Sequence, residues 1–284
     1  MRWSPGADNR NVEDRRGSGG MGMAPMGIGG SVILLVLSLI FGRDFVSGSG
    51  GVDTGEQQTA NGEVAPPTNQ SPAEAREVQF VTFVLDTAQA TWAQVLPTEM
   101  GARWHDAKLV LFRDRTPTGC GTGQTAMGPF YCPVDQKVYI DLSFYNELRD
   151  RFGASGDLAE AYVITHELGH HVQHLLGTDA KVRDAQQRDP SSANELSVAL
   201  ELQADCYAGV WTHHSQQENM LEAGEIEQGL NAAAAVGDDR IQRATTGHVD
   251  ADNFTHGSSA QRASWFKRGY TSGDPKNCNT FAGM

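Results

Sequence analysis

An α+β domain preceded by one apolar N-terminal segment is the fold class that this 284-residue sequence predicts. Three observations predict it. Residues 158–176 combine helical spacing of apolar side chains with boundary signals at both ends, 108–112 and 138–142 are short β-rich runs bounded by turn residues, and 23–42 contains no charged residue.

Taken from the N-terminus, 23–42 (MAPMGIGGSVILLVLSLIFG) would span about 30 Å as a helix, the thickness of a bilayer's hydrocarbon core. Arg2, Arg10, Arg15 and Arg16 precede it, and Arg43 is the one basic residue close behind it. The positive-inside bias therefore predicts a cytoplasmic tail over 1–22, an uncleaved transmembrane anchor over 23–42 and export of the rest. That describes a single-pass cell-membrane protein whose main domain is extracytoplasmic, in a periplasm or outside the cell. The stretch 43–76 is Gly, Ser, Thr, Gln, Glu and Pro with few large apolar residues, and reads as a flexible linker; 77–284 is left as one folded domain. A formal charge of -13 with no dense basic patch argues against a nucleic-acid partner.

Cys120, Cys132, Cys206 and Cys278 all follow the apolar segment, and an even number in an exported domain predicts two disulfides. Four cysteines allow three connectivities. The preferred one pairs Cys120 with Cys132 across a short loop and Cys206 with Cys278, tying the tail to the core; buried free thiols are the alternative.

Within the domain, apolar residues from Phe80 to Val95 recur at helical spacing up to Pro97, and predict a long amphipathic helix from Glu77. KLVLF (108–112) and VYIDL (138–142) predict strands, and the GPFYC run ending at Cys132 predicts a third. The helix over 158–176 has Asp157 and Glu160 as its starting signal and Gly177 as its stop; Leu158, Ala161, Tyr162, Thr165, Leu168, Val172 and Leu176 form its core face. His166, Glu167 and His170 project from the other side as HELGH. Two histidines four apart on a helix stand one turn above the other, so both imidazoles reach one ion, and Glu167 is rotated to lie beside it. The pattern predicts Zn2+ with Glu167 as the general base acting on a water.

A catalytic zinc takes a third protein ligand. Gln173 and Leu176 stand where the HExxHxxGxxH pattern would need glycine and histidine, which excludes that class. A helix from Ser192 to about Trp211 instead carries Glu201 and Asp205 four apart on its polar side, Glu201 as the third ligand and Asp205 as the acceptor that orients a ligating histidine. His171 and His174 are expected to be exposed or to lie behind the ligands.

With GPFYCPVDQKVYIDLSFY (128–145), ITHELGHHVQ (164–173) and ELQADCYAGVW (201–211) in place, the chain resembles the bacterial neutral zinc metallopeptidases, single-anchor HExxH proteins, along its whole length. The resemblance implies a zincin-like domain, with a small strand-bearing upper part over the active-site helix, and a peptide or protein substrate. A more distant likeness, to the membrane-associated gluzincins, implies that Gly128, Pro129, Phe130 and Tyr131 form a substrate-binding edge strand. It also implies that His256 donates a hydrogen bond to the oxyanion, although Gly257 departs from the proline of those relatives; Arg262 is expected to be structural. Two competitors are a deformylase-like amidase with Cys120 as third ligand and a non-catalytic zinc-binding chaperone or scaffold. The sequence leaves the oligomeric state open.

Overall fold

The computed structural model describes residues 1–7, 9–17 and 70–282. Six strands and eight α-helices are found among them: β1 Val12–Asp14, α1 Pro72–Val95, β2 Lys108–Phe112, β3 Arg115–Thr118, β4 Gly121–Gln124, β5 Phe130–Cys132, β6 Lys137–Asp141, α2 Phe144–Asp150, α3 Asp157–Leu175, α4 Thr178–Arg188, α5 Ala193–Gln217, α6 Glu225–Ala235, α7 Asp238–Thr246 and α8 Ser259–Ser272. This is the mixed helix-and-strand architecture the sequence predicts.

Four strands form one sheet in the order β1-β2-β6-β5, with β1, β2 and β6 parallel and β5 antiparallel on β6. The central run KLVLF is apolar at successive positions because both faces of the sheet are covered. Leu109 and Leu111 join Val138 and Ile140 in a core shared with Val84 and Leu85 of α1 and Leu158, Ile164 and Leu168 of α3. Val110 and Phe112 point the other way, onto Tyr139, Cys132 and the β3–β4 hairpin side, where Cys120 packs. The Cys120–Cys132 disulfide ties that hairpin to β5, and Cys206–Cys278 ties the C-terminal turn to α5, the connectivity preferred from sequence.

Helix α3 runs through the middle of the molecule. Its predicted start is off by one step: Gly156 occupies the N-cap, Asp157 is the first helical residue and makes no capping bond, and the Leu158 amide is held by Gln228 Oε1 at 3.3 Å. Its predicted stop is found, with Gly177 at φ 69°, a conformation that costs glycine nothing; the same residue opens α4, which periodicity did not reveal. Helix α5 likewise runs on to Gln217, past Trp211, and Ser192 makes no side-chain cap. Helix α1 begins at Pro72, so 72–76 are not linker: Ser71 accepts the Glu74 amide at 3.2 Å and Pro72 fills the first turn, a start signal legible in SPAE.

The membrane topology expected from the sequence does not hold. Val12, Glu13 and Asp14 pair with Leu109, Val110 and Leu111, Trp3 packs on Phe80 and Phe83, and the Arg2 amide donates to Met220 O at 2.7 Å. A segment that supplies a strand to the domain's own sheet cannot lie across a membrane from that domain. A cytoplasmic 1–22 with an exported 77–284, the single-pass arrangement and the membrane attachment built on it are therefore withdrawn. Among the described residues no helix is long and apolar enough to cross a membrane. The stretch 23–42, with most of the expected linker, lies outside the described residues.

Candidate metal centre

The site forms where α3 crosses α5. Gly169, inside the HELGH run, faces Ala204: a Cβ on Gly169 would stand 2.9 Å from the Ala204 carbonyl oxygen and 3.0 Å from its Cα. Two small residues thus let the backbones approach closely enough for side chains from both helices to meet. His166 and His170 project from α3 with ring centroids 4.9 Å apart, and Glu201 comes from α5 between them. Glu201 Oε2 is 3.2 Å from His166 Nε2, and Oε1 is 3.5 Å from His170 Nε2. One ligand atom from each of the three lies within 4.8 Å of the other two, a grouping that could hold one metal ion. The donor set of two imidazoles and one carboxylate suits Zn2+ and leaves a fourth position for water or substrate.

Both histidines are held from behind. Asp205 Oδ1 lies 2.9 Å from His166 Nδ1, and Gln173 Oε1 lies 2.8 Å from His170 Nδ1, so the Nδ1 side of each ring is engaged and Nε2 faces the centre. Asp205 is fully buried and accepts three further bonds: from the Tyr162 hydroxyl, from Arg262 Nε at 2.8 Å and from Arg262 Nη2 at 3.0 Å. Arg262, 3% exposed, also donates to Val236 O and lies 3.8 Å from Glu201 Oε2. Burial would raise the Asp205 carboxyl, but the Arg262 and His166 charges outweigh it and hold the group below its ordinary value. Burial likewise opposes the charge on Glu201, which His170, His166 and His256 nevertheless keep ionised, well below the usual carboxylate range. His166 is drawn down by burial and up by Asp205 and Glu201, ending at about 10.

Glu167 lies on the same face, 8% exposed, with its carboxyl pushed up mainly by burial. His256 enters from the loop before α8 and lines the same cleft. Asp238 at the start of α7 holds that loop: its Oδ2 accepts the amides of Thr255, His256 and Gly257 at 2.7, 2.6 and 3.0 Å, while Oδ1 faces His256 Nδ1 at 3.1 Å. Burial lowers the His256 pKa, but Asp238 and Glu201 raise it further, and the net shift is upward.

The cleft has a volume of about 410 Å³ and a largely apolar wall that includes Met127, Phe144, Phe152, Val163, Leu200 and Ile241. Gly128, Pro129, Phe130 and Tyr131 line it; only Phe130 and Tyr131 belong to β5, a terminal strand of the sheet, and Gly128, at φ 73°, and Pro129 precede it, so the expected edge strand over 128–131 is shorter at its start. All the predicted ligand, base, donor and edge-strand residues border one cavity, with Asp205 behind it. His171 is not exposed: it is buried, donates Nε2–H to His105 O at 2.7 Å and accepts from the Tyr131 hydroxyl at 2.9 Å, which fastens β5 to α3. His174 pairs with Asp179 at 2.9 Å. Cys120, the third ligand of the amidase alternative, is consumed in a disulfide and offers no thiolate. Sequence reasoning missed Tyr162, Gln173 and Asp238. Gln173 was within reach, three residues after His170 on one helix face, whereas nothing local connects Asp238 with a histidine 18 positions later.

The family described as "Putative neutral zinc metallopeptidase" matches residues 1–281. The uncharacterized protein YpfJ of Escherichia coli (strain K12) is 48% identical over 291 residues, covering 99% of this chain and 99% of its own length. The uncharacterized protein Mb2605 of Mycobacterium bovis is 43% identical over 208 residues, covering 69% of this chain and 68% of its own. The uncharacterized protein Rv2575 of Mycobacterium tuberculosis (strain H37Rv) matches to the same extent. No solved structure matches the chain.

Proposed function

The chain belongs to the neutral zinc metallopeptidase family, and from that premise we propose that it is a gluzincin-like, zincin-fold peptidase. His166, His170 and Glu201 would be its zinc ligands, Glu167 its general base and His256 its oxyanion donor. The observation that carries this reading is the convergence of three ligand atoms within 4.8 Å, with both imidazole Nδ1 atoms already engaged behind them. Zn2+ bound there supplies a Lewis acid that polarises the scissile carbonyl and lowers the pKa of a water.

The remaining steps belong to the chain's own residues. Glu167, desolvated and therefore a stronger base than an exposed carboxylate, takes a proton from the water and returns it to the leaving amine. His256, with Nδ1 turned to Asp238, offers Nε2–H to the carbonyl oxygen as it gains negative charge. An extended peptide adds to the outer edge of β5 as a further strand, along Gly128, Pro129, Phe130 and Tyr131, and its apolar side chains enter the apolar wall of the cleft. Backbone pairing of this kind selects polypeptide over small amides.

The test is cleavage of an unfolded protein by the purified chain, with product termini read by mass spectrometry. Chelation is expected to abolish cleavage, one equivalent of Zn2+ to restore it, and the cut sites to be flanked by apolar residues. A protein that binds one zinc and cleaves nothing at high enzyme concentration would instead be the non-catalytic scaffold.

A further inference from the structure

We infer that Gln173 is a positioning residue for the metal site, fixing the tautomer in which His170 presents its Nε2 lone pair to the ion. The inference rests on the zinc-ligand reading of His170. Gln173 lies one turn beyond His170 on α3 and is fully buried. Its Nε2 donates to Leu200 O at 2.7 Å and to Gln203 Oε1 at 3.2 Å, and its Oε1 faces His170 Nδ1 at 2.8 Å.

The amide's orientation is dictated at both ends of a short chain of bonds. The Leu200 carbonyl can only accept, so the NH2 of Gln173 must face it; the opposite orientation would set oxygen against oxygen. Gln203 is pinned in the same way, because its Nε2 donates to the Cys278 carbonyl at 2.9 Å and its Oε1 is thereby turned to Gln173. Cys278 is itself fastened to α5 by its disulfide with Cys206. With both glutamines fixed by carbonyls, Gln173 Oε1 can only accept, and His170 must carry its proton on Nδ1. In that tautomer the Nε2 lone pair is directed toward Glu201, 3.5 Å away.

The choice of an amide rather than a carboxylate has an electrostatic reason. Glu167, Glu201 and Asp205 are buried together with Arg262, and their three negative charges would be balanced by a bound Zn2+ plus that guanidinium, Asp238 and His256 pairing with each other beside them. A fourth buried carboxylate at 173 would be left uncompensated. His166 therefore has an anionic partner and His170 a neutral one.

The experiment measures zinc affinity of the full chain by competition with a chromophoric chelator, in wild type, Gln173→Met and Gln203→Met. It is paired with imidazole 15N shifts of the zinc-free proteins. Gln173→Met is expected to weaken zinc binding about 10- to 100-fold and to shift His170 away from the Nδ1–H tautomer. Gln203→Met deletes a neighbouring buried amide but leaves Gln173 on Leu200 O, and is expected to stay within about 3-fold of wild type, well short of the loss of an orienting partner. Wild-type affinity in Gln173→Met, an equal loss in both variants, or a His170 in the wild type that lacks a proton on Nδ1 would each overturn the inference; the last needs no variant to fold. Absence of zinc binding by the wild type would instead strike the ligand reading, and the tautomer would still decide the role of Gln173.

Discussion

At the scale of single residues, the site consists of buried charges that are tolerable only together. Asp205 is acceptable in the interior because Arg262, Tyr162 and His166 saturate it, and Asp238 because three consecutive amides and His256 do the same. The second set has a kinetic consequence. Asp238 contributes to the raised pKa of His256, and a hydrogen-bond donor to an oxyanion must keep its proton; kcat/KM is therefore expected to fall as pH rises through that elevated value. Asp238→Asn removes one of the two raising charges and is expected to move the alkaline fall to lower pH while leaving zinc content unchanged. A limb that stays where it was would take the donor role away from His256. The candidate ligands were legible in sequence because helical spacing sets His166 beside His170 on one helix and Glu201 beside Asp205 on another; that the two pairs meet depends on how the helices cross. Asp238 was not, since its contact with His256 depends on how the α7 start folds over a loop.

At the scale of elements, the crossing of α3 and α5 sets the distance between the two halves of the candidate ligand set. Gly169 and Ala204 are the contact, so enlarging Gly169 acts on the metal without touching a ligand. Gly169→Ala is expected to cost about 1–3 kcal/mol in unfolding free energy by overpacking against backbone that cannot yield cheaply. It is also expected to weaken zinc binding as Glu201 is displaced. Unfolding and zinc-competition measurements on the one variant check both; unchanged zinc affinity would mean that the crossing does not control the site. The long helices were legible from the spacing of their apolar residues and their boundary residues, and the strands β2 and β6 from short β-rich runs bounded by turn residues. Helix α4, the β3–β4 hairpin and the full length of α5 were not: α4 is short and mostly polar, and the hairpin owes its place to a disulfide and to the Gly123–Phe130 contact.

At the scale of the whole molecule, the N-terminal residues are part of the domain. Three residues of β1 are too few to announce a strand, and the basic residues around them read instead as a topology signal. In the fold those charges are used internally: Arg16 is buried with Asp14 and Glu74, and Glu13 lies between Lys137 at 2.7 Å and Arg15 at 2.7 Å. Partial burial would raise the Glu13 pKa, but Lys137 and Arg15 bring it from 4.5 down to about 2. A depressed carboxyl contributes stability that is complete above its unfolded pKa and is lost as pH falls from about 4.5 toward about 2. Glu13→Gln is expected to lower stability near neutral pH by about 1–2 kcal/mol, the pair being partly solvent-screened, and to match wild type at about pH 2. Denaturant unfolding across that range tests whether β1 is docked. Equal stability at every pH would mean that it is not.

Whether three converging side chains bind zinc for a reaction in which Glu167 moves the proton is decided by Glu167→Gln. This variant is expected to bind one equivalent of Zn2+ with near wild-type affinity while cleavage of an unfolded protein falls by at least about 100-fold, the contribution of a general base. Undiminished cleavage with zinc bound would show that Glu167 is not the base.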